Sequence, residues 1–241
     1  MTEAHIVGWG HTKFGRHDTK SFEDLVVDAA REAIAHAGIA AADIGGIWIG
    51  HFNNGLVDDG FVSSMALSVD DQLRFVPSTR VENACASGSA AIYAARNAIR
   101  AGAIKTALVI GAEKMTARTT EGVTKALTGA SYQKEENSLS FPQIFARFAQ
   151  SYFQAHGDHS KTLAQIASKN HCNAMNNPLA HLQKPLDVSF CNQVSDKNPM
   201  IAPPLRMSDC SLISDGAALA AGANSLRPLM THPGNRSGGR P

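Results

Sequence analysis

Cys85 stands in the run ENACASGSAA, where strand-like sequence gives way to an alanine-rich helical pattern. The first N–H groups of a helix lack intrahelical acceptors and the helix dipole adds partial positive charge, so a sulfur near that mouth is favoured as thiolate. Such a thiolate can attack an acyl carbonyl, with a general base supplied from elsewhere in the fold. The competing reading is structural, because unreactive cysteines are among the most buried residues. Ser87 is a weaker nucleophile candidate. The G-x-S-x-G turn wants glycine two before and two after the serine, and Cys85 and Ser89 stand there.

The other polar residues suggest less chemistry. His156 and His159 straddle a Gly-Asp turn and His171-Cys172 is an adjacent pair, so neither has the clustered spacing of a zinc site and no metal is expected. Gly8-Trp9-Gly10 has two glycines of a dinucleotide loop but neither the third nor a following helix. Cys85, Cys172, Cys191 and Cys210 form no C-x-x-C and no close pair, and are read as reduced thiols. Lys134, Arg147, Lys169 and Lys184 are candidate phosphate contacts, against the ordinary reading of isolated bases as solvated surface.

These residues need a scaffold, and the pattern supplies an α/β one. Residues 4–10 read as a strand. Ser21, as N-cap with Asp24 three residues on, opens a helix whose apolar face is Phe22, Leu25, Val26, Ala29, Ala33, Ile34 and Ala37, and Gly38 ends it. Ile47-Trp48-Ile49 follows as a short strand, and strand–helix–strand order predicts a parallel pair with a right-handed crossover. A loop over 51–59, a short helix over 61–71 and a strand over 74–81 lead to the cysteine. From there Ala86, Ala90, Ala91, Ala94, Ala95, Ala98 and Ile99 recur at helical spacing, with Gly102 at the C′ place, which predicts a central, buried helix. Residues 105–113 read as a strand whose stretch 106–111 is a continuous apolar run, of the kind covered on both faces. The pattern changes over 115–207, with helices over 142–156 and 161–176 and a proline-rich remainder, before a small-residue strand over 216–222.

Composition narrows the partners. The 241 residues carry 22 basic against 21 acidic side chains, which gives no reason to expect nucleic acid or a membrane surface. No apolar run approaches the ~18 residues of a membrane span, and the start lacks the pattern of a signal peptide, so a cytoplasmic location is expected.

Residues 83–89, NACASGS, lie between the strand-like FVPSTRV and ALVIGAE and resemble the nucleophile region of thiolases, above all the sterol-carrier-protein-x type. The resemblance extends through IVGWGHTKFG, FEDLVVDAAREAIAHAGI, FPQIFARFAQSYFQAHG and SDCSLISDGAALA. It implies a thiolase-like, mixed but mainly parallel sheet with helices on both faces. Residues 1–114 and 208–223 would form the amino-terminal α/β domain, with 115–207 an inserted loop subdomain that covers the site and contacts coenzyme A. The implied activity is that of an acyl-CoA C-acyltransferase of the acetyl-CoA acetyltransferase type, in lipid metabolism. Its substrate is a coenzyme A thioester, and no cofactor is bound permanently.

By the same resemblance Cys85 is the nucleophile that carries the acyl group. Its own N–H is one oxyanion donor, and Ala84, Ala86 and Gly88 leave room for the acyl chain. The match covers the amino-terminal half of such an enzyme. The family's other parts, a His in a GHP motif, a Cys in a C-x-G motif and an Asn or His that holds a water, belong to the second half. Residues 224–241 are read as a disordered or aberrant tail in its place, where His232-Pro-Gly-Asn echoes the base motif without a role assigned to it. Weak or no activity alone is expected. The alternatives are a noncatalytic thiolase-like subunit that partners another chain and a condensing or retro-aldol relative. The family implies a homodimer formed through the strand before the nucleophile, and in some members a small OB-fold partner.

Overall fold

The structure, a computed structural model, describes residues 3–136 and 139–224. Its frame is a five-stranded sheet of β1 (His5–His11), β2 (Gly46–Gly50), β3 (Ser78–Val81), β4 (Thr106–Glu113) and a last strand, Gly216–Ala223. The last strand lies between β1 and β4 and runs antiparallel to both, and β2 and β3 continue in parallel from β4. The mixed, mainly parallel sheet is therefore as expected.

Two helices cover its faces, and the alternation of side chains along the strands decides which residue meets which helix. Leu108 and Ile110 of β4, with Ile47 and Ile49 of β2, pack under α1 (Phe22–Ala37). Ala107 and Val109, with Trp48, pack under α2 (Ser87–Arg100) on the other face. The capping box at Ser21 and Asp24 is formed, and Gly38 takes the left-handed conformation at φ 63°. Ser21→Ala is expected to lower stability by ~1 kcal/mol in urea denaturation.

The two glycines of Gly8-Trp9-Gly10 serve packing. A Cβ on Gly10 would lie 2.2 Å from the Ala29 carbonyl oxygen and one on Gly8 2.5 Å from Ala37 Cβ, so this pair lets α1 lie close on β1.

The expected pairing of β1 with β2 does not occur. They run in the same direction, but the last strand and β4 separate them. The central place goes to β4, whose apolar run is buried from both sides, and the last strand, of small residues, pairs with β4 on one edge and β1 on the other. The segment expected as a helix over 61–71 is a 3-10 helix, Val62–Val69, and the strand before the cysteine is shorter than 74–81, being preceded by a 3-10 turn at Asp71–Leu73 capped by Asp70.

Between β4 and the last strand the chain forms α3 (Thr120–Thr128), α4 (Gln133–Glu136), α5 (Phe141–His156), α6 (Ser160–Ala174) and α7 (Val188–Asn192). A two-stranded ribbon follows, β5 (Met200–Ala202) with β6 (Leu205–Arg206), and the last strand is accordingly β7. Helices α5 and α6 fall on the expected spans. Ala164, Ala167 and Cys191 form a small core of their own, which joins α6 to α7.

Candidate active site

The turn that carries Cys85 begins as β3 leaves the sheet. Residues Ala84–Ala86 form a single 3-10 turn, and α2 opens at Ser87. The helix therefore starts two residues later than the alanine pattern implies, with Cys85 just outside its mouth. Its thiol is exposed.

Local polar groups account for the delay. The buried Ser87 hydroxyl accepts the Asn83 N–H at 2.9 Å and donates to the Ala84 carbonyl at 2.7 Å. The Glu82 carboxylate accepts the Ala84 N–H at 2.5 Å, and the Ala86 N–H donates to the Asn83 carbonyl at 2.8 Å. Amides that could have begun the helix are thus drawn into the turn, and Ala84 takes a left-handed φ of 45°. At its far end α2 closes as expected: Gly102, at φ 74°, donates to the Ile99 carbonyl and Ala103 to the Ala98 carbonyl, a Schellman arrangement.

Only one side of α2 is buried. Ala91, Ala95 and Ile99 meet the sheet, whereas Ile92 and Tyr93 are exposed. This corrects the expectation of a central, buried helix: its small residues let one face sit close to the sheet, and among the described residues nothing covers the other. The closest approach is at Gly50, the last residue of β2, where a Cβ would lie 2.7 Å from the Ser87 carbonyl group and 2.8 Å from the Gly88 nitrogen. Gly50 is what allows the mouth of α2 to rest on the sheet.

Beside the turn lies an open cavity of about 640 Å³, whose wall includes Asn54, Arg80, Glu82, Asn83, Ala84 and Gly129. Arg80 braces that wall through hydrogen bonds to the carbonyls of His51 and Phe52. His51 is fully buried; its Nδ1 lies 3.0 Å from the Ala112 carbonyl, which can only accept, so Nδ1 carries the proton. The Glu113 carboxylate accepts the Phe52 N–H and pins the same loop to β4.

Of the residues singled out in the sequence, Cys85, Ala84, Ala86 and Gly88 meet in this turn. The basic candidates do not gather: Lys134, Arg147, Lys169 and Lys184 stand exposed on α4, α5, α6 and the loop after α6. His232 and nearly all of the 224–241 segment lie outside the described residues. Among the described residues no group of three His, Cys, Asp or Glu side chains could hold a metal, and no helix is long and apolar enough to cross a membrane. Glu82, Ser87 and Gly50 were not singled out for these roles. A serine four residues after an asparagine, and a glycine ending an apolar strand, were the available signals.

A mixed sheet with a helix on each face and a cysteine on the strand-to-helix turn places the protein in the α/β class. A family model described as thiolase, N-terminal domain, matches residues 4–221. The chain belongs to the thiolase family. An acetyl-CoA acetyltransferase of Methanothermobacter thermautotrophicus is 37% identical over 192 residues, 78% of this chain and 49% of that protein. The chain thus spans about half the length of the curated relatives it matches. Among solved structures, the Ltp2-ChsH2(DUF35) aldolase has a TM-score of 0.71 at 20% identity and covers 94% of this chain and 57% of its own. Human mitochondrial 3-ketoacyl-CoA thiolase in complex with CoA has a TM-score of 0.70 at 17% identity, over 92% of this chain and 64% of its own. The fold class is thiolase-like.

Proposed function

We propose that the chain takes part in acyl transfer between coenzyme A thioesters, with Cys85 as the residue that becomes acylated. The observation that carries this reading is the exposed Cys85 thiol on a turn built at the mouth of α2. The sulfur attacks the thioester carbonyl, the acyl carbon–sulfur bond to Cys85 forms as the bond to coenzyme A breaks, and the thiol proton leaves with the coenzyme A thiolate. No redox partner is needed. Covalent capture divides one hard step into two easier ones, and the N–H of Cys85 itself is the donor that favours the oxyanion. Residues 115–207 act as a subdomain over the site, and 1–114 with 208–223 form the α/β domain.

The similarity to acetyl-CoA acetyltransferases supports the reaction class, and the coenzyme A complex of a thiolase with the same fold supports the substrate class. Association is part of the reading. β3 is the edge of the sheet and offers a free strand to a second copy, and the exposed Ile92 and Tyr93 on α2 suit contact with another chain. The aldolase with a DUF35 subunit supports a small partner of the OB-fold type. We place the protein in the cytoplasm.

The test is the intact mass of the 241-residue chain after exposure to acetyl-CoA, with Cys85→Ala alongside. A gain of one acetyl group that vanishes in the variant is expected. No gain in the wild-type chain, with alkylation of Cys85 no faster than that of the exposed Cys172, would leave the chain a noncatalytic subunit of this fold.

A further inference from the structure

The turn that presents Cys85 contains a conformation its sequence does not favour. Ala84 has φ 45°, a left-handed backbone that a residue with a Cβ adopts only when its surroundings impose it. Two side chains do so here. Ser87 is buried and closes the turn from the helix side, through Asn83 and the Ala84 carbonyl. Glu82 is exposed, yet its carboxylate turns inward along its own chain to accept the Ala84 N–H at 2.5 Å.

We propose that Glu82 is a positioning residue for Cys85: by holding the Ala84 N–H it stabilises the left-handed backbone at 84 and sets the direction in which the next residue presents its thiol. The inference rests on the reading of Cys85 as a nucleophile. Glu82 also forms part of the wall of the 640 Å³ cavity, so the group that shapes the turn faces the space beside it.

Comparing uncharged substitutions separates hydrogen bond from charge. Gln at 82 can accept the same N–H and Ala cannot, while both remove the negative charge. The rate of Cys85 alkylation by iodoacetamide, read by peptide mass, is expected to be roughly 3- to 10-fold higher in Glu82→Gln than in Glu82→Ala. Cys172, exposed on α6, serves as the internal reference and is expected to react equally in both. In an Ala84→Gly background the left-handed φ needs no support, and the gap between the two variants is expected to close. Equal rates for Glu82→Gln and Glu82→Ala, or a gap that persists with glycine at 84, would overturn the proposal. Acetyl transfer separates it from the function above. Alkylation rates in the expected order on a chain that acetyl-CoA never acylates would refute the acyl-transfer reading alone. Equal acylation of Glu82→Gln and Glu82→Ala, both as readily as the wild-type chain, would refute this one alone.

Discussion

Replacing Asp215 with Asn is expected to remove roughly 3–5 kcal/mol of stability, because it leaves the Lys114 ammonium buried without its counter-charge. Lys114 is 7% exposed and Asp215 fully buried, with Lys114 Nζ 2.5 Å from the carboxylate. The same carboxylate accepts the N–H groups of Met115 and Thr116 at 2.8 Å, the Thr116 hydroxyl at 2.6 Å and the His17 N–H at 3.1 Å. One side chain at the entry to β7 thus ties down the segments that leave β1 and β4. Chemical denaturation of Asp215→Asn measures the effect, and a loss under ~1 kcal/mol would mean the pair behaves like an exposed one.

The same carboxylate gives the acid limb of stability. Burial by itself pushes the Asp215 carboxyl up, but the Lys114, Thr116 and His17 donors outweigh it and hold it at about 2, below the ordinary 3.8. A carboxyl depressed on folding contributes stability above its unfolded value, and that contribution is lost as pH falls through the folded one. A loss of roughly 2 kcal/mol is therefore expected as pH drops from about 4 to about 2. Asp215→Asn is expected to lack this component of the pH dependence.

Gly50→Ala is the second large effect. The added methyl would meet the carbonyl group of Ser87 and the nitrogen of Gly88 at 2.7–2.8 Å, and these are backbone atoms with no free rotation by which to yield. The mouth of α2 must move off the sheet, at about 1–3 kcal/mol for an overpacked contact. The Ser87 hydroxyl moves with it, and that hydroxyl closes the Cys85 turn. Gly50→Ala is expected to change the alkylation rate of Cys85 as well as the unfolding midpoint. Gly60→Ala, where a Cβ meets nothing within 4 Å, is expected to change neither.

The two termini of α1, the Schellman end of α2 and the buried run of β4 were legible in the sequence, because each is made by residues within a few positions of one another. Cys85 was legible for the same reason: a thiol beside a strand-to-helix turn is a local feature. The order of the strands was not. Local sequence shows that β1 and β2 flank a helix, but their separation depends on β7 fitting beside β4 from more than a hundred residues away. The late start of α2 was hidden because the alanine pattern reports helix propensity alone. Glu82 and Ser87 divert amides that propensity would have spent on the helix. The Lys114–Asp215 pair and the contact of Gly50 with α2 were likewise decided only by tertiary structure. Spacing along a chain determines which groups share a face, whereas the close approach of a charge or a Cβ to distant backbone is set by the packing of whole elements.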